Sequence, residues 1–375
     1  MKNILIFYAS YGGGHLSAAK SVQKYISENY KDITVEMVDC MKCINKPLEK
    51  VTTGAYREMA KKAPKLWGKV YFDSEKKGLI SEISKDSNKL MAKKLCKLIN
   101  EINPDLIIST HPFSSQMVSY LKGKGKIDCE IATILTDFAI HKQWLIGSEY
   151  TNNFFVSNDN MKEDMIELGI SENKIHVTGI PMSDRFFENF DKEKIYEMFE
   201  LNPNQKVILF FGGGEFGLGK DRTVQILECF IKKLTNFQII AVAGKNEKMK
   251  EAFEKLVQNN QAKDRVKVLG FTDKVPEIMS IACLVVSKPG GLTTTETLAS
   301  GLPMIIINPI PGQEEENAEF LESKGAGVWI KADDNPDDII SAVFENENKL
   351  VEMRESAIKL AKKNSTKEIC DILLK

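Results

Sequence analysis

The stretch Cys283-Leu284-Val285-Val286-Ser287-Lys288-Pro289-Gly290-Gly291-Leu292 is an apolar run that ends in a glycine turn. A helix-compatible segment carrying Glu296 follows, then Met304-Ile305-Ile306-Ile307 and the polar stretch Pro309-Ile310-Pro311-Gly312-Gln313-Glu314. In order this reads strand, glycine turn, helix, strand, polar loop, which is a βαβ unit. Its turn leaves backbone N–H groups uncovered at a helix N-terminus, a place suited to a phosphate. Polar residues on the loop beyond it are then within reach of whatever the phosphate carries.

The same alternation extends in both directions. Strands are expected at 3–8, 34–38, 106–109, 131–135 and 153–156 in the first half, and at 206–211, 238–242, 266–269, 284–286 and 304–307 in the second. Apolar runs separated by helical patterns point to parallel sheets covered by helices, so the fold class is α/β with two doubly wound domains. The expected division is 1–182, a linker at 183–204, a second domain at 205–350 and closing helices at 351–375, the last of which can cross back to the first domain. Open sheets of this kind bind ligands beyond the carboxyl ends of their strands, so two of them are expected to face a shared cleft.

Composition is that of a soluble globular chain, with 375 residues, 43% hydrophobic and 27% charged. The cysteines are scattered; Cys40 and Cys43 form one close pair, without a second to complete a zinc site. They read as reduced thiols of a cytosolic protein. No apolar run approaches the ~20 residues of a membrane span, and the first strand is too short for a signal peptide. Charge is uneven: residues 42–97 hold fifteen Lys or Arg against six Asp or Glu, beside Trp67, Tyr71 and Phe72. That pattern fits either a solvated helical surface or a patch for an anionic membrane, and no nucleic-acid motif accompanies it.

The remaining motifs fall at expected strand ends. Gly12-Gly13-Gly14-His15 follows the first strand, where the glycines let a ligand approach the backbone and His15 can act as a base or a donor. The spacing is neither the dinucleotide Gly-x-Gly-x-x-Gly nor a P-loop. Thr136-Asp137, with His141 and Trp144 after it, offers a carboxylate as general base, as the orienting partner of a histidine, or as a helix cap. Thr110-His111 is a third candidate on the same edge. In the second half Gly212-Gly213-Gly214 repeats the logic of the first glycine turn, while Lys245 and Gly270-Phe271-Thr272 end two further strands. Glu296, five residues beyond Gly291, suits a ribose diol. Gln313, Glu314 and Asn317 suit the hydroxyls of a sugar.

These residues resemble the family of monogalactosyldiacylglycerol synthases and processive diacylglycerol glucosyltransferases, glycosyltransferase family 28. The likeness runs over nearly the whole chain and rests on Gly12-Gly13-Gly14-His15 with Ser17 and Ala18, Thr136-Asp137 with His141 and Trp144, Gly179-Ile180-Pro181, and Pro289-Gly290-Gly291 through Glu296 to Gln313. The chain departs from the plant galactosyltransferases at Leu16, where those usually carry Arg.

The resemblance implies a GT-B fold, a UDP-sugar in the second domain and diacylglycerol entering from an anionic membrane beside the first. It also implies an inverting, UDP-sugar-dependent hexosyltransferase, peripheral on the inner face of the cell membrane. No convincing Asp-x-Asp follows a buried strand, so neither a catalytic metal nor another cofactor is expected. His15 and Asp137 are then the catalytic candidates, with Gly13, Gly14, His111, His141 and Trp144 on the acceptor side. Gly213, Gly214, Lys245, Phe271, Thr272, Pro289, Gly290, Gly291, Leu292, Thr293, Glu296, Gln313, Glu314 and Asn317 would hold UDP-glucose or UDP-galactose. Competing readings are a lipid-linked N-acetylglucosamine transferase, a UDP-sugar 2-epimerase and a non-catalytic UDP-sugar sensor.

Overall fold

Isoleucine- and valine-rich runs pair side by side into two parallel sheets because, covered on both faces, they have no solvent side to keep polar. The computed structural model describes residues 2–9, 13–44, 85–213, 219–346 and 348–375. The expected membrane contacts Trp67, Tyr71 and Phe72, and the donor residue Gly214, lie outside the described residues. The chain divides into two units, the first comprising 1–183, 311–313 and 362–375, the second 184–310 and 314–361.

In the first unit β1 (Lys2–Tyr8) leads to α1 (Gly14–Asn29), β2 (Ile33–Asp39) and α2 (Cys40–Ile44). After α3 (Lys85–Ile102) come β3 (Leu106–Ser109), α4 (Pro112–Gly123), β4 (Glu130–Ile134), β5 (Asn153–Val156), α5 (Asp159–Glu167) and β6 (Ile175–Val177). The strand order is β2-β1-β3-β4-β5-β6, parallel throughout, and it reverses direction between β1 and β3.

The second unit holds α6 (Lys192–Met198), β7 (Val207–Phe211), α7 (Lys220–Lys233), β8 (Gln238–Val242), α8 (Glu247–Asn259), β9 (Val266–Leu269) and α9 (Val275–Ile281). It continues with β10 (Ala282–Ser287), α10 (Gly291–Ala299), β11 (Met304–Ile307), α11 (Gln313–Ser323), β12 (Gly327–Ile330), α12 (Pro336–Phe344) and α13 (Lys349–Leu360). Its order, β12-β11-β10-β7-β8-β9, reverses between β10 and β7. The final helix, α14 (Ser365–Leu373), belongs to the first unit. There Ile369, Cys370 and Leu373 complete the core formed by Ile4, Ile6, Ala19, Val22 and Ile26. Each such large apolar side chain taken from water contributes roughly 1.5–3 kcal/mol.

Three expectations are corrected. β6 and β12 are strands that the apolar runs did not announce. The stretch 183–204 is not a free linker: Arg185 donates to Glu277 at 2.7 Å and to the carbonyl of Asp273, and α6 packs on α9. The third concerns only α13, which stays against α10 in the second unit, whereas the last helix, α14, packs on α1 as the sequence led us to expect.

Candidate functional site

In each sheet the strand order reverses at one place, and there the loops of neighbouring strands diverge to opposite faces, opening a crevice at the carboxyl ends. The glycine turns sit at these two places. One follows β1 beside β3; the others follow β7 and β10, which pair with each other.

In the first unit α1 starts at Gly14 with no side-chain cap and no acidic residue in its first turn, so its leading N–H groups stay available. His15 lies in that turn. Its Nδ1 is 2.6 Å from the carbonyl oxygen of Thr110 and 2.9 Å from Thr136 Oγ1. Its ring meets that of His111 edge to face, with centroids 4.7 Å apart, and Trp144 approaches within 6.4 Å. Desolvation outweighs the bond to Thr110 and pushes the His15 pKa down to about 4, so its imidazole is neutral at pH 7. Desolvation, then His15 itself, holds His111 well below its ordinary value.

Several acceptor-side candidates have structural work. His111 caps α4, its Nδ1 accepting from Phe113 N at 3.2 Å, and His141 caps the 3-10 turn Lys142–Leu145. Trp144 is corrected as an acceptor contact: it is 2% exposed and packs with Leu135, Phe154 and Val156, so it supports His15 from the core side. Asp137 stands in a bend just beyond β4 with no helix directly after it, which removes the helix-cap reading. The place on His15 Nδ1 where an orienting carboxylate was expected is taken by Thr110 and Thr136.

In the second unit α10 also starts without a side-chain cap or an acidic residue in its first turn, so no side chain caps its leading N–H groups. Gly213 has φ +90°, and a Cβ there would stand 3.6 Å from Lys288 Cε. Lys288 thus lies between the two glycine turns, a half-buried cation that the sequence reading passed over. Burial raises the Glu296 carboxyl to about 8. Phe271 is 70% exposed, with Lys245 Nζ 5.3 Å from its ring centre. Thr272 Oγ1 accepts from Lys274 N and so supports the start of α9.

Gln313, Glu314 and Asn317 are not on a loop but on α11. Glu314 Oε2 accepts from Ile310 N at 2.6 Å, and its Oε1 would be 3.8 Å from a Cβ at Gly290. Desolvation, only partly opposed by Lys288 and the Ile310 N–H, raises its pKa. Asn317 is fully buried and donates through Nδ2 to the carbonyl of Pro289 at 2.9 Å, so it braces the glycine turn and is corrected as a sugar contact.

The fold has clear counterparts among solved structures. MurG from Acinetobacter baumannii superposes with a TM-score of 0.64 at 15% identity, over 99% of each chain. The UDP-GlcNAc 2-epimerase from Neisseria meningitidis, solved with UDP-GlcNAc bound, gives 0.66 at 16% identity over 100% of both. The architecture is GT-B, and with the sequence relations that follow it makes the chain a UDP-sugar-dependent glycosyltransferase. Residues 15–182 match the monogalactosyldiacylglycerol (MGDG) synthase family and 207–372 the glycosyltransferase family 28 C-terminal domain. The chain is 32% identical over 375 residues to the processive diacylglycerol beta-glucosyltransferase of Staphylococcus epidermidis (strain ATCC 12228 / FDA PCI 1200), covering 100% of this chain and 92% of that one. It is 30% identical over 378 residues to the enzyme of that name from Bacillus subtilis (strain 168), covering 100% and 95%. The chain belongs to the family of processive diacylglycerol beta-glucosyltransferases.

Proposed function

We propose that the protein transfers glucose, with inversion, from UDP-glucose to the hydroxyl of 1,2-diacylglycerol and then to its own glycolipid product, at the surface of an anionic membrane on the cytoplasmic side. The observation that carries the reading is the position of the glycine turns, each at the reversal point of its sheet, with a neutral histidine at one and a lysine at the other.

His15 takes the proton of the acceptor hydroxyl, with Asp137 sharing the acceptor contact. The oxygen attacks the anomeric carbon from the face opposite UDP, through an oxocarbenium-like transition state. Charge then grows on the departing β-phosphate, and Lys288 with the first N–H groups of α10 stabilises it. Glu296 accepts from the ribose diol, and Phe271 with the backbone around Gly270 receives the base. No metal is needed in this scheme because those fixed dipoles and the lysine neutralise the leaving group.

The test is incubation with vesicles of diacylglycerol and phosphatidylglycerol and either UDP-glucose or UDP-galactose, with the lipids separated by thin-layer chromatography and the anomeric configuration read by NMR. Glucolipids of β configuration, insensitive to EDTA, are expected. Galactolipid alone, sugar epimerisation without transfer, or activity lost to EDTA and restored by magnesium would refute the corresponding part. Among the described residues no helix is long and apolar enough to cross a membrane, so attachment is assayed by vesicle flotation.

A further inference from the structure

The partners of His15 are unusual for a histidine cast as a base, since Nδ1 rests on a carbonyl and a hydroxyl. A carbonyl oxygen only accepts, so the 2.6 Å contact with Thr110 assigns the proton to Nδ1. Thr136 Oγ1, at 2.9 Å and 5% exposed, is then a second acceptor for that N–H. The lone pair is left on Nε2. Thr110 also holds the main chain beneath the ring: its hydroxyl is 3.0 Å from the His15 carbonyl oxygen, and its N–H donates to Phe7 at the end of β1.

We infer that Thr110, through its carbonyl, and Thr136, through its hydroxyl, are positioning residues that lock His15 in the Nδ1–H tautomer and make Nε2 the atom that takes the acceptor's proton. The inference rests on the role of His15 proposed above. In the step itself the acceptor O–H bond breaks and its proton joins the Nε2 lone pair. The freed oxygen pair forms the bond to the anomeric carbon, and the bond to UDP breaks with its electrons on the β-phosphate oxygen. On turnover Nε2 returns the proton to water. Throughout, Nδ1–H stays on Thr110, so the ring gains and loses its proton without turning.

The full chain labelled with 15N-histidine has four imidazoles, and long-range proton–nitrogen spectra read the tautomer of each. His15 is assigned by its disappearance in His15→Gln. A protonated Nδ1 and an unprotonated Nε2 are expected at pH 7. Thr136→Val should lower kcat about fivefold to tenfold, the worth of one hydrogen bond, with KM for UDP-glucose unchanged and the tautomers mixed. Thr136→Ser should restore both the tautomer and the rate. A proton on Nε2 of the wild type, or wild-type kcat in folded Thr136→Val, would overturn the lock. If Thr136→Val does not fold, the wild-type tautomer and Thr136→Ser decide. Failure of the wild type to glucosylate diacylglycerol would overturn the proposed function instead, leaving the spectra to decide the lock.

Discussion

His15 and His111 meet edge to face at 4.7 Å, one from the first turn of α1 and the other from the cap of α4, and neither ring is charged at neutral pH. A second imidazolium there would repel the first, and burial already disfavours both. At His15 the unfolded chain takes up a proton near pH 6.5 that the folded one refuses until about 4, so stability falls as pH drops through that window. Melting temperature measured from pH 7 to 4 should decline less steeply in His15→Gln than in the wild type.

His15→Ala and Asp137→Asn should each reduce kcat by at least ~10²-fold, the usual worth of a general base, while UDP still binds. Because the His15 pKa is about 4, the acid limb of the wild-type rate assigned to this group should fall near pH 4 and not near 6.5. Calorimetric UDP binding alongside steady-state rates checks both statements.

Lys288→Met should weaken UDP by roughly 10- to 100-fold, the value of a charge-assisted bond to phosphate, and leave uridine binding unaltered. The comparison of UDP with uridine in one titration series isolates the phosphate contact. Equal losses for both ligands would mean that the lysine supports the fold of the turn and not the charge.

Glu296 holds its proton up to about pH 8, yet ribose hydroxyls donate best to an ionised carboxylate. UDP binding should therefore strengthen from pH 6.5 to 8.5 and release a proton, read by titration calorimetry in buffers of different ionisation enthalpy. Glu296→Gln should bind more weakly and lose that share of the pH dependence. It should also flatten stability between pH 4.5 and 8, a range in which the unfolded wild type ionises this group and the folded one does not.

Asn317→Ala leaves the buried carbonyl of Pro289 without that partner, at a cost of about 1–3 kcal/mol. Urea unfolding should show the loss, and UDP affinity should fall with it because the turn that Asn317 braces loosens.

Where the chain is a continuous apolar run the fold was legible: Met304-Ile305-Ile306-Ile307 is β11 with no residue to adjust. β6 and β12 escaped because three residues interrupted by His176, and four that open on Gly327, carry too little pattern. The breakers Pro309, Pro311 and Gly312 suggested that the loop continued, but Gly312, at φ +99°, ends it, and Gln313 begins a helix at once. The glycine turns were readable as turns at strand ends because their composition is local. Lys288 was not, since only the pairing of β7 with β10 brings it beside Gly213. Nor does a sequence show that Thr110 and Thr136, on different strand ends, converge on one nitrogen of His15.

The placement of α14 sets an order of events during synthesis. Ile4, Ile6 and Val22 leave the ribosome first, yet the residues that close their core, Ile369, Cys370 and Leu373, are translated after the whole second unit. Until the second unit has been made, the nascent first unit lacks the residues that cover this apolar face. Chaperone demand should therefore concentrate on the earliest-made part of the chain, and shortening the wait by moving α14 ahead of β1 in a circular permutant should relieve it.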